Sequence, residues 1–106
     1  MRIEVIGRNL DVTAAIREHT EGKTQKLTKY YDGIQSVIVR LSREDHHHRG
    51  NFGVELVVSV LKHDDFVSHE VGEDLYACID AVIQKGSRQL SEFKEQLRNG
   101  KKRAGG

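Results

Sequence analysis

The residues of this chain best suited to chemistry are cations. Lys23, Lys26 and Lys29 recur every third residue beside an apolar stripe, and Lys85 and Arg88 share one flank of a later stripe with the small Ala81. At about 100° per residue, helical spacing puts charge along one edge of each segment and apolar groups along the other. Two helices that bury one edge and show cations along the next suggest a groove for a polyanion. Lysine serves phosphate as a flexible point charge, arginine as a two-pronged donor. The same lysines also read as a solvated helix face, with the Lys23 stem lying along apolar neighbours. Net charge hides either arrangement, because 17 basic residues against 16 acidic ones leave +1.

Other reactive groups offer less. His46-His47-His48 invites a metal, with Asp45 beside it, since imidazole is the commonest metal ligand. Three consecutive residues in a polar loop do not preorganise a coordination shell, so no metal site is expected. Cys78, the single cysteine, excludes an internal disulfide and a cysteine-based zinc site. It lies near an apolar stripe with no base assigned to it, which suits a small buried thiol. Tyr30, Tyr31 and Tyr76 could stack on bases or pack with the hydroxyl outward. Gly7, Gly50, Gly53 and Gly72 are isolated and make no phosphate loop. No carboxylate pair or hydroxyl nucleophile stands in a catalytic pattern. The expectation is a protein without catalytic residues, cofactor or small-molecule substrate.

The elements that must position the cations follow from periodicity. At 106 residues the chain is expected to form one domain. Residues 2–6 alternate, with Ile3 and Val5 on one face, and predict a strand. Gly7-Arg8-Asn9 is a turn, and Thr13 caps a helix expected to run to about Tyr31, where Asp32-Gly33 ends it. Residues 36–43 alternate again, Glu44–Gly50 is loop-like, and Phe52–Val60 is a long strict alternation, so these two strands read as a hairpin. After a turn at Lys62–Asp65, Phe66–Val71 predicts a fourth strand. Leu75, Ile79, Val82, Ile83, Gly86, Leu90, Phe93 and Leu97 mark the last helix. Glu73 and Asp74 suit its positive end, and Asn99-Gly100 is expected to stop it.

The order β-α-β-β-β-α predicts an α+β fold, a mostly antiparallel four-stranded sheet with two helices on one face. Residues 1–99 form the domain, and 100–106 are expected to be a basic, disordered tail. No apolar run approaches the ~18 residues of a membrane span. The start, Met1-Arg2-Ile3-Glu4, has no hydrophobic signal core, so a cytoplasmic protein is expected, in keeping with the cysteine usage. The open sheet face shows Ile38, Val57 and Leu61 among Arg40, Ser42, Glu55 and Ser59. A regulator that binds a protein partner through that face is the alternative reading.

Two stretches carry a resemblance. The first is Asn9-Leu10-Asp11-Val12-Thr13-Ala14-Ala15-Ile16-Arg17 with Lys23, Lys26-Leu27 and Tyr30-Tyr31. The second is Glu73-Asp74-Leu75-Tyr76-Ala77-Cys78-Ile79-Asp80 with Lys85 and Arg88-Gln89-Leu90. Together, across roughly residues 1–98, they resemble the ribosome hibernation-promoting factor family, the short ribosome-associated translation inhibitors of bacteria. The resemblance implies a fold similar to double-stranded-RNA-binding domains. It also implies binding to the small ribosomal subunit and its rRNA, between head and body, where messenger and transfer RNA would sit. Long members add a C-terminal domain that pairs ribosomes. This chain looks like a short form, which leaves open a helper protein for pairing. The function so implied is a non-enzymatic inhibitor that occupies the decoding region and holds ribosomes idle under stress or in stationary phase. Lys23, Lys26, Lys29, Lys85 and Arg88 would be its phosphate contacts. The chain departs from the pattern at His19, Thr20 and Thr24, where larger apolar groups are expected. It also departs at Glu92, which can pair with Arg88, and at Gly86, inside a helix.

Overall fold

Each predicted alternation forms a strand. In a computed structural model, which describes residues 1–44 and 51–105 (backbone alone from 100), the strands are β1 (Arg2–Arg8), β2 (Ile34–Arg43), β3 (Phe52–Val60) and β4 (Phe66–Gly72). The helices are α1 (Ala14–Gln25) and α2 (Leu75–Gly105). The His46-His47-His48 run lies outside the described residues.

The sheet order is β1-β2-β3-β4. β1 pairs parallel with β2 through the α1 crossover, and the other two pairings are antiparallel. The fold is thus the expected α+β, with one parallel pair in the sheet. These pairings fix the helix directions. β1 and β4 run the same way, and each is followed by a helix that returns along the sheet. α1 and α2 therefore run parallel to each other. His19 and Asp80, each the sixth residue of its helix, meet side by side. Farther along, Tyr31 meets Phe93 edge-on at 5.3 Å between ring centres.

The inward faces of the strands form one core with α2. Val37, Val39, Leu41, Leu56 and Val58 are fully buried against Ile79, Val82 and Leu90. Gly86 marks the close approach: a Cβ there would stand 2.5 Å from Leu56 Cδ2. The glycine in mid-helix lets a fully buried leucine fill the gap, which offsets its low helix propensity.

Both helix starts are capped. The Thr13 hydroxyl accepts from the Ile16 N–H at 3.2 Å, and Asp74 Oδ1 accepts from the Ala77 N–H at 3.2 Å. The helix ends differ from expectation. α1 stops at Gln25, and Lys26–Lys29 tighten into a 3-10 turn rather than α-helix to Tyr31. Leu27, fully buried, anchors that turn. α2 does not stop at Asn99-Gly100 but runs to Gly105. One glycine costs a helix only ~1 kcal/mol, so Gly100 does not by itself end it. Among the described residues no helix is long and apolar enough to cross a membrane.

Candidate nucleic-acid interface

The inner face of α1 is unusually polar. Thr20 and Thr24 are fully buried where larger apolar groups were expected. Each hydroxyl donates to the carbonyl four residues back, Thr20 to Ile16 at 2.7 Å and Thr24 to Thr20 at 2.6 Å. That satisfies both hydroxyls within the helix and leaves two methyl groups for packing. The lysines stand above this face. Lys23 is half-buried, and Lys26 and Lys29 are exposed on either side of Leu27. In a 3-10 turn, side chains three apart eclipse. The tightened turn therefore brings Lys29 into angular line with Lys26, where α-helical spacing would leave the two about 60° apart.

His19 carries the contact to α2. Its Nε2 lies 2.8 Å from Asp80 Oδ1, and a carboxylate accepts, so Nε2 holds the hydrogen. Its ring meets Tyr76 edge-on at 4.8 Å. Lys23 Nζ stands 3.9 Å from the same Asp80 oxygen.

Lys85 does not join this group. Five residues separate it from Asp80, about 140° around the helix, and it turns to the far flank. There its Nζ donates to the His69 carbonyl at 2.7 Å and pairs with Glu70 at 2.9 Å. Gln89, one turn on, donates to the Val67 carbonyl at 3.3 Å. Both cover the free edge of β4, as edge strands require. Arg88 is exposed between the two flanks, and its expected pairing with Glu92 is not among the ion pairs of the described residues. The expected second wall of Lys85 and Arg88 facing the lysines of α1 is therefore not formed as such. Helical period places a residue on a flank but does not say which neighbour lies beside it.

Two cations missed from sequence lie on the same flank of α2 as Asp80. Lys94 and Arg98 lie about 40° and 0° around α2 from Asp80, and both are exposed. Their spacing from Asp80, 14 and 18 residues, was the available signal. Lys26, Lys29, Arg88, Lys94 and Arg98 all lack a carboxylate partner among the described residues. Arg2, Arg8, Arg17 and Arg40 are paired with Glu4, Glu44, Glu21 and Glu55. Five cations without a carboxylate partner thus stand on the helices and the 3-10 turn, while Arg43 at the end of β2 and Lys62 in the turn after β3 also have none among the described residues.

The other concave surfaces suit phosphate poorly. A hollow of about 840 Å³ at the start of α2 is lined by three acids, Asp11, Glu73 and Asp74, against one cation, Arg43. One of about 610 Å³ on the open sheet face holds Arg40 and His69, both against Glu55. On that face Ile38 and Val57 sit in one row with Val67, while Leu61 is in the turn beyond β3 and 58% exposed. Burial pushes the Cys78 thiol up from its usual range, with Glu70 and Asp74 adding to the shift. Buried and held as a thiol, Cys78 is placed for packing. Among the described residues no three His, Cys, Asp or Glu side chains are gathered as metal ligands.

Known proteins share the sequence pattern and the fold of this chain. Residues 3–98 match the family described as sigma 54 modulation protein / S30EA ribosomal protein. A relative named ribosome hibernation promoting factor, from Escherichia coli K12, is 35% identical over 98 residues, covering 92% of this chain and 98% of its own. The crystal structure of the Thermus thermophilus Protein Y N-terminal domain superposes with a TM-score of 0.75 at 34% identity, covering 88% of this chain and 99% of that one. A ribosomal subunit interface protein from Coxiella burnetii, at 23% identity, shares the fold with a TM-score of 0.77 over 90% of this chain and 99% of its own.

Proposed function

The chain belongs to the sigma 54 modulation protein / S30EA ribosomal protein family, and from that premise we propose that it is a ribosome-binding inhibitor of translation. It acts without bond chemistry, in the cytoplasm, and holds ribosomes idle under stress. Its partner is the small ribosomal subunit, whose rRNA it meets in the decoding region. There the folded domain is a rigid wedge where messenger and transfer RNA would lie.

The observation that carries this reading is the row of cations on the helix side, each fixed to a rigid element and, apart from Lys23 beside Asp80, without a carboxylate partner among the described residues. Lys23, Lys26 and Lys29 line α1 and its 3-10 turn, and Arg88, Lys94 and Arg98 line α2. Lys85 contributes less, because Glu70 already holds its charge. Phosphate contacts position a protein but carry no sequence information. Selectivity for one site then comes from fit to a folded RNA surface.

The test is alanine replacement of Lys26 and Lys29 together, followed by binding to purified small subunits over a range of salt. Loss of two phosphate contacts should lower the salt slope by about 2 and weaken binding at every salt concentration. Unchanged affinity and slope would place the contact surface elsewhere. The row Ile38, Val57 and Val67 favours a second, subordinate reading, a protein contact on the open sheet face. Such a contact would show little salt dependence.

A further inference from the structure

An acid in the middle of a surface for a polyanion is a cost, and Asp80 stands in that place. Oδ1 of Asp80 lies 2.8 Å from His19 Nε2 and 3.9 Å from Lys23 Nζ, across the seam between α1 and α2. The Tyr76 ring closes on His19 from the side. Beneath the seam, the fully buried residues of α1 are the small Thr20 and Thr24, with Ile16 the partly buried apolar group one turn before. The interlocking of bulky side chains that usually sets one helix against another is therefore reduced here. A polar tie across the top supplies what that interface lacks.

We propose that Asp80 is a positioning residue for RNA binding: it ties His19 and Lys23 to α2, so that the cationic edge of α1 is set before the RNA arrives. This rests on the phosphate-binding reading above. In the free protein Lys23 is half-buried beside Asp80, which narrows its range, so less side-chain freedom is lost when a phosphate meets it. RNA then competes for Lys23 with a single, solvent-screened carboxylate at 3.9 Å, a weak contact to exchange. The His19 bond, shorter and between groups less able to reorient, persists.

Positioning and bare electrostatics predict opposite signs. Removing a negative charge from a polyanion site should tighten binding if charge alone matters. If Asp80 positions, Asp80→Ala should weaken binding to purified small subunits by about two- to tenfold, the equivalent of one or two side chains left to be ordered on binding. Its salt slope should fall by about 1 as Lys23 drops out. Asp80→Asn keeps an oxygen that accepts from His19, so it should bind more tightly than Asp80→Ala. Melting curves of both variants report the fold separately, and Lys26→Ala/Lys29→Ala, remote from Asp80, reports the phosphate-binding reading. Asp80→Ala binding as well as or better than the parent, while the lysine variant weakens, overturns the positioning role and leaves the reading intact. Asp80→Asn as weak as Asp80→Ala also overturns it, since the retained acceptor would then do nothing. A lysine variant that binds like the parent removes the reading and this inference with it.

Discussion

Lys85 and Lys94 show what decides whether a cation is available to a ligand. Both are exposed lysines on α2. Lys85 is spent on Glu70 and on a β4 carbonyl, whereas Lys94 stands on the Asp80 flank with no acid partner among the described residues. Alanine at Lys94 and Arg98 together should therefore lower the salt slope of small-subunit binding by about 2. Alanine at Lys85 should leave the slope within experimental error. The reverse pattern would return Lys85 to the interface. Sequence spacing groups Lys23, Lys26 and Lys29 on one edge, but the residues that pair with Lys85, His69 and Glu70, come from a strand whose position only the assembled sheet reveals. Cys78 carries a pH prediction of its own. Its thiol is raised in the folded state by burial and by Glu70 and Asp74, so the folded protein holds that proton more tightly than the unfolded chain. The stability it contributes is whole below about pH 9 and is lost as pH rises through the folded value. Denaturant midpoints should fall on that alkaline limb, and less steeply for Cys78→Ala. Rapid labelling of the native thiol near pH 8 would contradict this burial.

Among the elements, the 3-10 turn was least visible beforehand. Alternation predicted the four strands closely, because burial of one face imposes a period of two that turns cannot mask. The end of α1 was not predicted, since Lys26-Leu27-Thr28-Lys29 has the composition of a continuing helix. Its tightening follows from the need to seat Leu27 in the core, near the gap left by Gly86. Leu27→Ala should destabilise the domain by about 2–5 kcal/mol and should also weaken subunit binding, because Lys26 and Lys29 lose their anchor. Gly86→Ala tests the gap from the other side. The new methyl gains about 1 kcal/mol of helix propensity but overpacks against Leu56 at a cost of about 1–3 kcal/mol. Leu56 is fully buried and has little room to move, so net destabilisation is expected in chemical denaturation. A more stable variant would mean that α2 can rise from the sheet without loss.

At the scale of the whole molecule, charge is sorted by surface although the chain is nearly neutral. The open sheet face holds Arg2, Arg8 and Arg40 in ion pairs, and the start of α2 is acidic, while Lys26, Lys29, Arg88, Lys94 and Arg98 on the helix side have no carboxylate partner among the described residues. Net charge of +1 could not reveal this, because sorting depends on which acids the fold brings beside which bases. Such an arrangement steers one face toward phosphate and leaves the rest indifferent to it. The most direct measurement is co-sedimentation of the purified protein with separated small and large ribosomal subunits at low and high salt. Preferential binding to small subunits, weakening steeply as salt rises, is the predicted result. Equal binding to both subunits, or small-subunit binding that ignores salt, would contradict a shaped, phosphate-reading helix face.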